Sequence, residues 1–199
     1  GEKMELDGYN WIEGAATAIY NHQGKNALCT IAAFNKPADE KVAHEIVMQI
    51  AAMNPIAIDE DGVSEEIKQK EIQVAIDKTK AEQVQKAVEA ALKKAGFNLY
   101  IAENEEHLNE GVMKGNITEA QAEEIRQLKA KVAEEKAANL PAAMIENIAK
   151  GRLGKFLKEV CLLKQEDIMD PKKTVADVLK ESDPELKVVD FKRFTLRAE

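Results

Sequence analysis

The sequence predicts an α+β fold, a small antiparallel sheet packed with helices plus a protruding antiparallel helical hairpin or coiled-coil arm. Three observations lead there. Two β-prone runs meet across a polar turn near the start, long charged stretches keep apolar residues at helical spacing, and an apolar run of both parities lies near the end. An apolar fraction of 45% over 199 residues is enough for a packed core.

Residues 9–35 read as strands. Ala15–Tyr20 and Ala27–Phe34 are joined by Asn21-His22-Gln23-Gly24-Lys25-Asn26, a link too short for a parallel crossover, so the pair is antiparallel. Tyr9 and Trp11 are expected to pack in the core or at its edge. Residues 38–53 read as a helix whose apolar face is Val42, Ile46, Val47 and Ile50. Met53-Asn54-Pro55 ends it, because a residue before proline is pushed out of the helical region. Glu45, Gln49 and Ala52 fall on another stripe, expected to be an outer surface.

Ser64 before Glu65 and Glu66 is an N-cap with acids in the first turn, and no Gly or Pro follows until Gly96. Ile72, Ile76, Val84, Val88, Ala91 and Leu92 form a narrow apolar stripe. At ~1.5 Å per residue this helix would reach ~45 Å, longer than a small domain is wide, so it must project or pair. Gly96 is its expected C-cap and residues 97–116 read as irregular. Thr118 with Gln121 opens a helix carrying Ile125, Leu128 and Val132. Leu140-Pro141 marks a break before a helix near 141–160 that carries Ile145, Ile148, Leu157 and Val160. Narrow stripes on long helices suggest the arm. Thr174 with Asp177 starts a short helix near 174–181, and residues 186–196 close as a strand whose two apolar parities suit cover on both faces. The predicted organisation is a core subdomain from 1–62 and 139–199 with a helical arm at 63–138.

A net charge of −8 argues against nucleic acid or an anionic membrane surface as partner. No apolar run approaches the ~20 residues of a membrane span and no signal peptide is visible, so a cytoplasmic location is expected. Cys29 and Cys161 lie far apart among apolar neighbours and read as two buried thiols. His22, His44 and His107 lack the spacing of a metal or catalytic set. Asp59-Glu60-Asp61-Gly62 has adjacent acids, which suits a loop capping the next helix better than a calcium loop. Gly151-Arg152-Leu153-Gly154-Lys155-Phe156 lacks P-loop spacing, and its glycines at i and i+3 are expected to mark close packing against another backbone. With no catalytic set and no cofactor motif, the residues describe an interaction protein rather than an enzyme.

Three stretches resemble the elongation factor Ts family. They are Met48-Gln49-Ile50-Ala51-Ala52-Met53-Asn54-Pro55; Val63-Ser64-Glu65-Glu66 with Lys70-Glu71; and Lys150-Gly151-Arg152-Leu153 with Lys155-Phe156, Glu159-Val160, Leu162-Leu163, Gln165, Met169-Asp170-Pro171 and Lys173-Thr174-Val175. The resemblance covers about 1–80 and 139–199 and leaves residues near 80–138 as an insertion. It implies a guanine nucleotide exchange factor that binds elongation factor Tu and promotes GDP release in translation elongation. The part present is expected to be the carboxy-terminal half of the family core, which docks on the third domain of that partner. Gln49, Met48, Ala52 and Met53 are the contact residues the resemblance implies, Gln49 standing where many relatives carry histidine. The chain begins near the middle of the family pattern and holds no Thr-Asp-Phe-Val segment, so it is expected to bind weakly and exchange poorly. Glu166-Asp167 stand where relatives often have Pro-Phe, which predicts a locally different turn. The alternative function is self-association as a homodimer through an edge strand such as 186–196.

Overall fold

A computed structural model describes residues 1–6 and 8–196. Among them, six α-helices and a three-stranded antiparallel sheet make an α+β protein. The chain divides into two compact units, Gly1–Lys68 with Gly154–Glu199, and Gln69–Leu153.

In the first unit, β1 (Ala16–Asn21), β2 (Leu28–Phe34) and β3 (Val188–Thr195) pair in that spatial order. The β1–β2 turn uses the left-handed region at Gln23, Gly24 and Asn26, and the Asn26 amide donates to Asn21 Oδ1 at 3.0 Å. Ile31 sits opposite both Ile19 and Lys192, while Phe34 meets Val188 across a register shift. The first strand starts at Ala16 rather than near residue 9. Just before it, Gly14 passes so close to β2 that a Cβ there would lie 2.8 Å from the Ala33 Cβ. Tyr9 and Trp11 are exposed, against the expectation that they pack.

Helix α1 (Glu40–Met53) begins where the Asp39 carboxylate accepts the Lys41 and Val42 amides at 3.0 and 3.2 Å. It ends at Asn54, which adopts left-handed φ 45° and donates to Ile50 O, with Pro55 beyond. Ile46, Val47 and Ile50 meet Ala32 and Phe34 of β2, Val188 of β3, Leu162, Leu186, and Val175 and Leu179 of a short helix. Burying each such large aliphatic side chain stabilises by about 1.5–3 kcal/mol. The short helix, numbered α6 (Val175–Ser182), opens with a capping box between Thr174 and Asp177. Thr30 Oγ donates to Val47 O at 2.7 Å, fixing α1 on the inner sheet face. On β3, Val188 is buried but Val189 and Phe194 are 45% and 40% exposed. The expectation of cover on both faces therefore fails: across the register shift Val188 and Phe191 both pack on the core, while Val189 and Phe194 leave it. Cys161 is buried and its thiol pushed up by burial, while Cys29 is only half-buried, so the pair is not uniformly interior.

The second unit is helical. Helix α2 (Glu65–Lys94) carries acids in its first turn and lysines in its last, both favourable to the helix dipole. Gly96, at φ +84°, lets Phe97 donate back to Leu92 O and Gly96 to Lys93 O, which satisfies the last carbonyls. Residues 97–116 are not irregular throughout, because α3 occupies Glu105–Met113. Its signals are an Asn104 cap, which accepts the His107 amide at 2.8 Å, and Gly115 at φ +70°. Gly111 obscured the helical period; a Cβ there would lie 3.0 Å from Ile101 and 3.3 Å from Ile117. Helix α4 (Glu119–Ala138) starts with the Thr118–Gln121 capping box. Val88 and Leu92 of α2, Ala102, Leu108 of α3, and Ala122 and Ile125 of α4 form the apolar cluster. Helix α5 (Ala142–Val160) belongs to this unit up to Leu153. Among the described residues, nothing outside the helix's own turns lies within 4 Å of a Cβ built on Gly151 or Gly154, so the expected close approach of another backbone is not made there.

Candidate partner-docking site

Gln49 was expected on an outer stripe with Glu45 and Ala52. The stripe does not exist as such: Ala52 is exposed, Glu45 is half-buried, and Gln49 is 0% exposed. The physical reason is a second, polar contact on α1. Gln49 Nε2 donates to Gln165 Oε1 at 3.2 Å and to Glu166 O at 3.0 Å, and its Oε1 accepts the Ile168 amide at 2.9 Å. Gln165 in turn donates to Glu159 O at 2.7 Å. A side-chain amide has two donor hydrogens and one acceptor oxygen, and all are engaged here. Hydrophobic periodicity registers only the apolar side of α1, so a helix buried by hydrogen bonds on its other side leaves no mark in the pattern.

The held segment is a closed turn. Glu166 and Thr174 bridge in antiparallel fashion, the Val175 amide donates to Gln165 O, and the Asp167 amide donates to Lys173 O at 2.9 Å. Asp167, 1% exposed, accepts the Met169 and Asp170 amides on Oδ2 at 3.1 and 2.8 Å. Alongside, Ile56 donates to Val160 O and Leu162 to Ala57 O, tying the chain after α1 to the end of α5. Apolar side chains rim this assembly: Met53 is 46% exposed, Met169 is 68% exposed, Ile56 is exposed and Met48 half-buried. The resemblance implies Gln49, Met48, Ala52 and Met53 as contacts but carries Met169 only within a family stretch, and the exposure of Met169 follows from the turn and not from any local pattern.

Other chemistry-bearing groups lie apart. His22 bonds the Tyr20 hydroxyl at 2.9 Å and His44 meets the same ring edge-on, while His107 stacks on Tyr100 at 4.2 Å in the helical unit. Asp59 accepts the Gly62 amide at 3.3 Å and Glu60 pairs with Lys164 at 2.5 Å, which holds the Glu60 carboxyl below its usual range. Among the described residues no three His, Cys, Asp or Glu side chains gather to hold a metal. No helix among them is long and apolar enough to cross a membrane.

These features define the class: an α+β protein with a helix end and a buttressed turn carrying exposed apolar side chains, continued by a helical unit. The family model described as Elongation factor TS matches residues 1–198, and the chain belongs to the elongation factor Ts family. It is 66% identical over 199 residues to the Elongation factor Ts of Bacteroides fragilis, covering 100% of this chain and 60% of that protein. It is 69% identical to that of Parabacteroides distasonis with the same coverage, and 33% identical to that of Porphyromonas gingivalis, of which it covers 52%. The chain thus spans 60% of the length of the first of these relatives.

Proposed function

We propose that this chain binds elongation factor Tu and takes part in guanine nucleotide exchange during translation elongation, by docking and not by bond chemistry. Family membership supports the reading, and one structural observation carries it. The buried Gln49 amide fastens the 165–168 turn to α1, so the exposed Ala52 and Met53 stand on a pre-ordered surface. Pre-ordering lowers the entropy cost of association. Met48, Ala52 and Met53 are the contacts, the partner's third domain is the expected target, and Gln49 positions them without touching the partner.

Exchange of this kind is reciprocal coupling: a factor that weakens nucleotide binding is itself bound more weakly in the presence of nucleotide, by the same ratio. Calorimetric titration into GDP-bound and nucleotide-free elongation factor Tu tests it. Tighter binding to the nucleotide-free form is the expected result. Equal binding would leave docking without coupling, and no binding would overturn the proposal.

A second reading, self-association, draws on β3, an edge strand with Val189 and Phe194 exposed. Sedimentation at tens of micromolar separates the two, since a monomer there excludes a stable dimer.

A further inference from the structure

We propose that Glu45 and Asp167 share a proton, the Glu45 carboxyl donating to Asp167 Oδ1, so that the 165–170 turn locks on acidification and loosens when both carboxylates ionise. Asp167 is buried, and its Oδ1 is sealed from water with no hydrogen-bond partner among the described residues, whereas Oδ2 already accepts two backbone amides. A buried acceptor left unmatched is costly. A second carboxyl, that of Glu45, lies beside Asp167. Glu45 lies on α1 four residues before Gln49, on the side of the helix that receives the turn. An ionised glutamate has no hydrogen to give, so a proton is what converts this contact from repulsion to a bond.

The surrounding charges fit this. The Glu45 carboxyl is pushed up, first by burial, then by its hydrogen bond with Asp167 and by the Asp167 charge. Lys41 on α1 and Lys173 before α6 oppose the shift. Lys173 is itself engaged by Glu181 of α6 at 2.5 Å, with Asp170 and Asp177 nearby. Because the folded chain holds the Glu45 proton more tightly than the unfolded chain, the stabilisation is complete below the ordinary value of 4.5. It is lost as pH rises through the raised folded value. Each unit of that shift corresponds to about a tenfold change in the folding equilibrium. The proton pair stands independently of the docking reading; only an effect on partner affinity would rest on it.

The direct test is carbon-detected titration of the side-chain carboxyls by NMR in the intact chain. Glu45 titrating above 4.5 is the expected result. Glu45 titrating at or below that value overturns the proposal. Glu45→Gln gives a second measurement, because its amide donates to Oδ1 at every pH. Wild type should gain stability and protect the Met169 and Asp170 amides more strongly as pH falls toward 4.5, after correction for intrinsic exchange. The variant should lack that component. An unchanged slope in Glu45→Gln would also overturn it.

Discussion

Each of the two units of this molecule is held together internally by different means. In the sheet-containing unit, polar ties join residues far apart in sequence: Gln49 to Ile168 across 119 positions, and Asn35 to Glu185 across 150. In the helical unit the ties are mostly short. Arg126 reaches Glu105 over 21 positions and Lys129 reaches Ala102 over 27, around a cluster that α2, α3 and α4 supply. Arg152 with Glu82, at 2.7 Å across 70 positions, is the longer exception. The difference teaches that one unit depends on distant stretches meeting and the other on local helix formation, so the first has the greater loop-closure entropy to overcome.

The largest expected effect attacks the first unit. Phe34 is fully buried between sheet and α1, and Phe34→Ala should cost about 3–5 kcal/mol in urea denaturation. A loss below ~1 kcal/mol would break the comparison, since the long-range core would then matter little. Gln49→Ala comes next. It removes the partner of Glu166 O and of the Ile168 amide, both in part-buried hydrogen bonds, and should cost about 1–3 kcal/mol in all. Faster amide exchange at Ile168 is the specific readout; an unchanged rate would show that the turn holds itself.

Smaller effects belong to the helices. Asn104→Ala removes the α3 cap and should cost about 1 kcal/mol, measured as a lowered melting temperature. Gly151→Ala has the opposite sign. The site is helical and open, so the substitution should stabilise by about 0.5–1 kcal/mol. Destabilisation there would mean that the bare backbone at Gly151 has a use within the folded chain.

Local signals in the sequence were translated faithfully. The α1 apolar face, both capping boxes and the Gly96 stop all rest on contacts within a few residues, and each is present. What escaped was long-range or polar. Gln49 looked like a surface residue because its burial is satisfied by hydrogen bonds to a turn more than a hundred positions away. Gly111 hid α3 because a glycine chosen for close approach to Ile101 reads as a break. Tyr9 and Trp11 looked like core residues by chemistry alone, yet they lie before Gly14, outside the paired strands. The motif around Lys150–Phe156 identified the family without revealing its local role, since the two glycines face open space.

The Gln49 tie also bears on when the molecule becomes competent during its own synthesis. A ribosome delivers α1 long before it delivers Gln165 to Ile168, and in that interval the Gln49 amide can find only water. Under the proposed docking, the surface that includes Met53 and Met169 is a two-part token, complete only once both parts have emerged and met. A nascent or broken chain would carry half of it, which under that proposal makes the completed fold itself the condition for recognition.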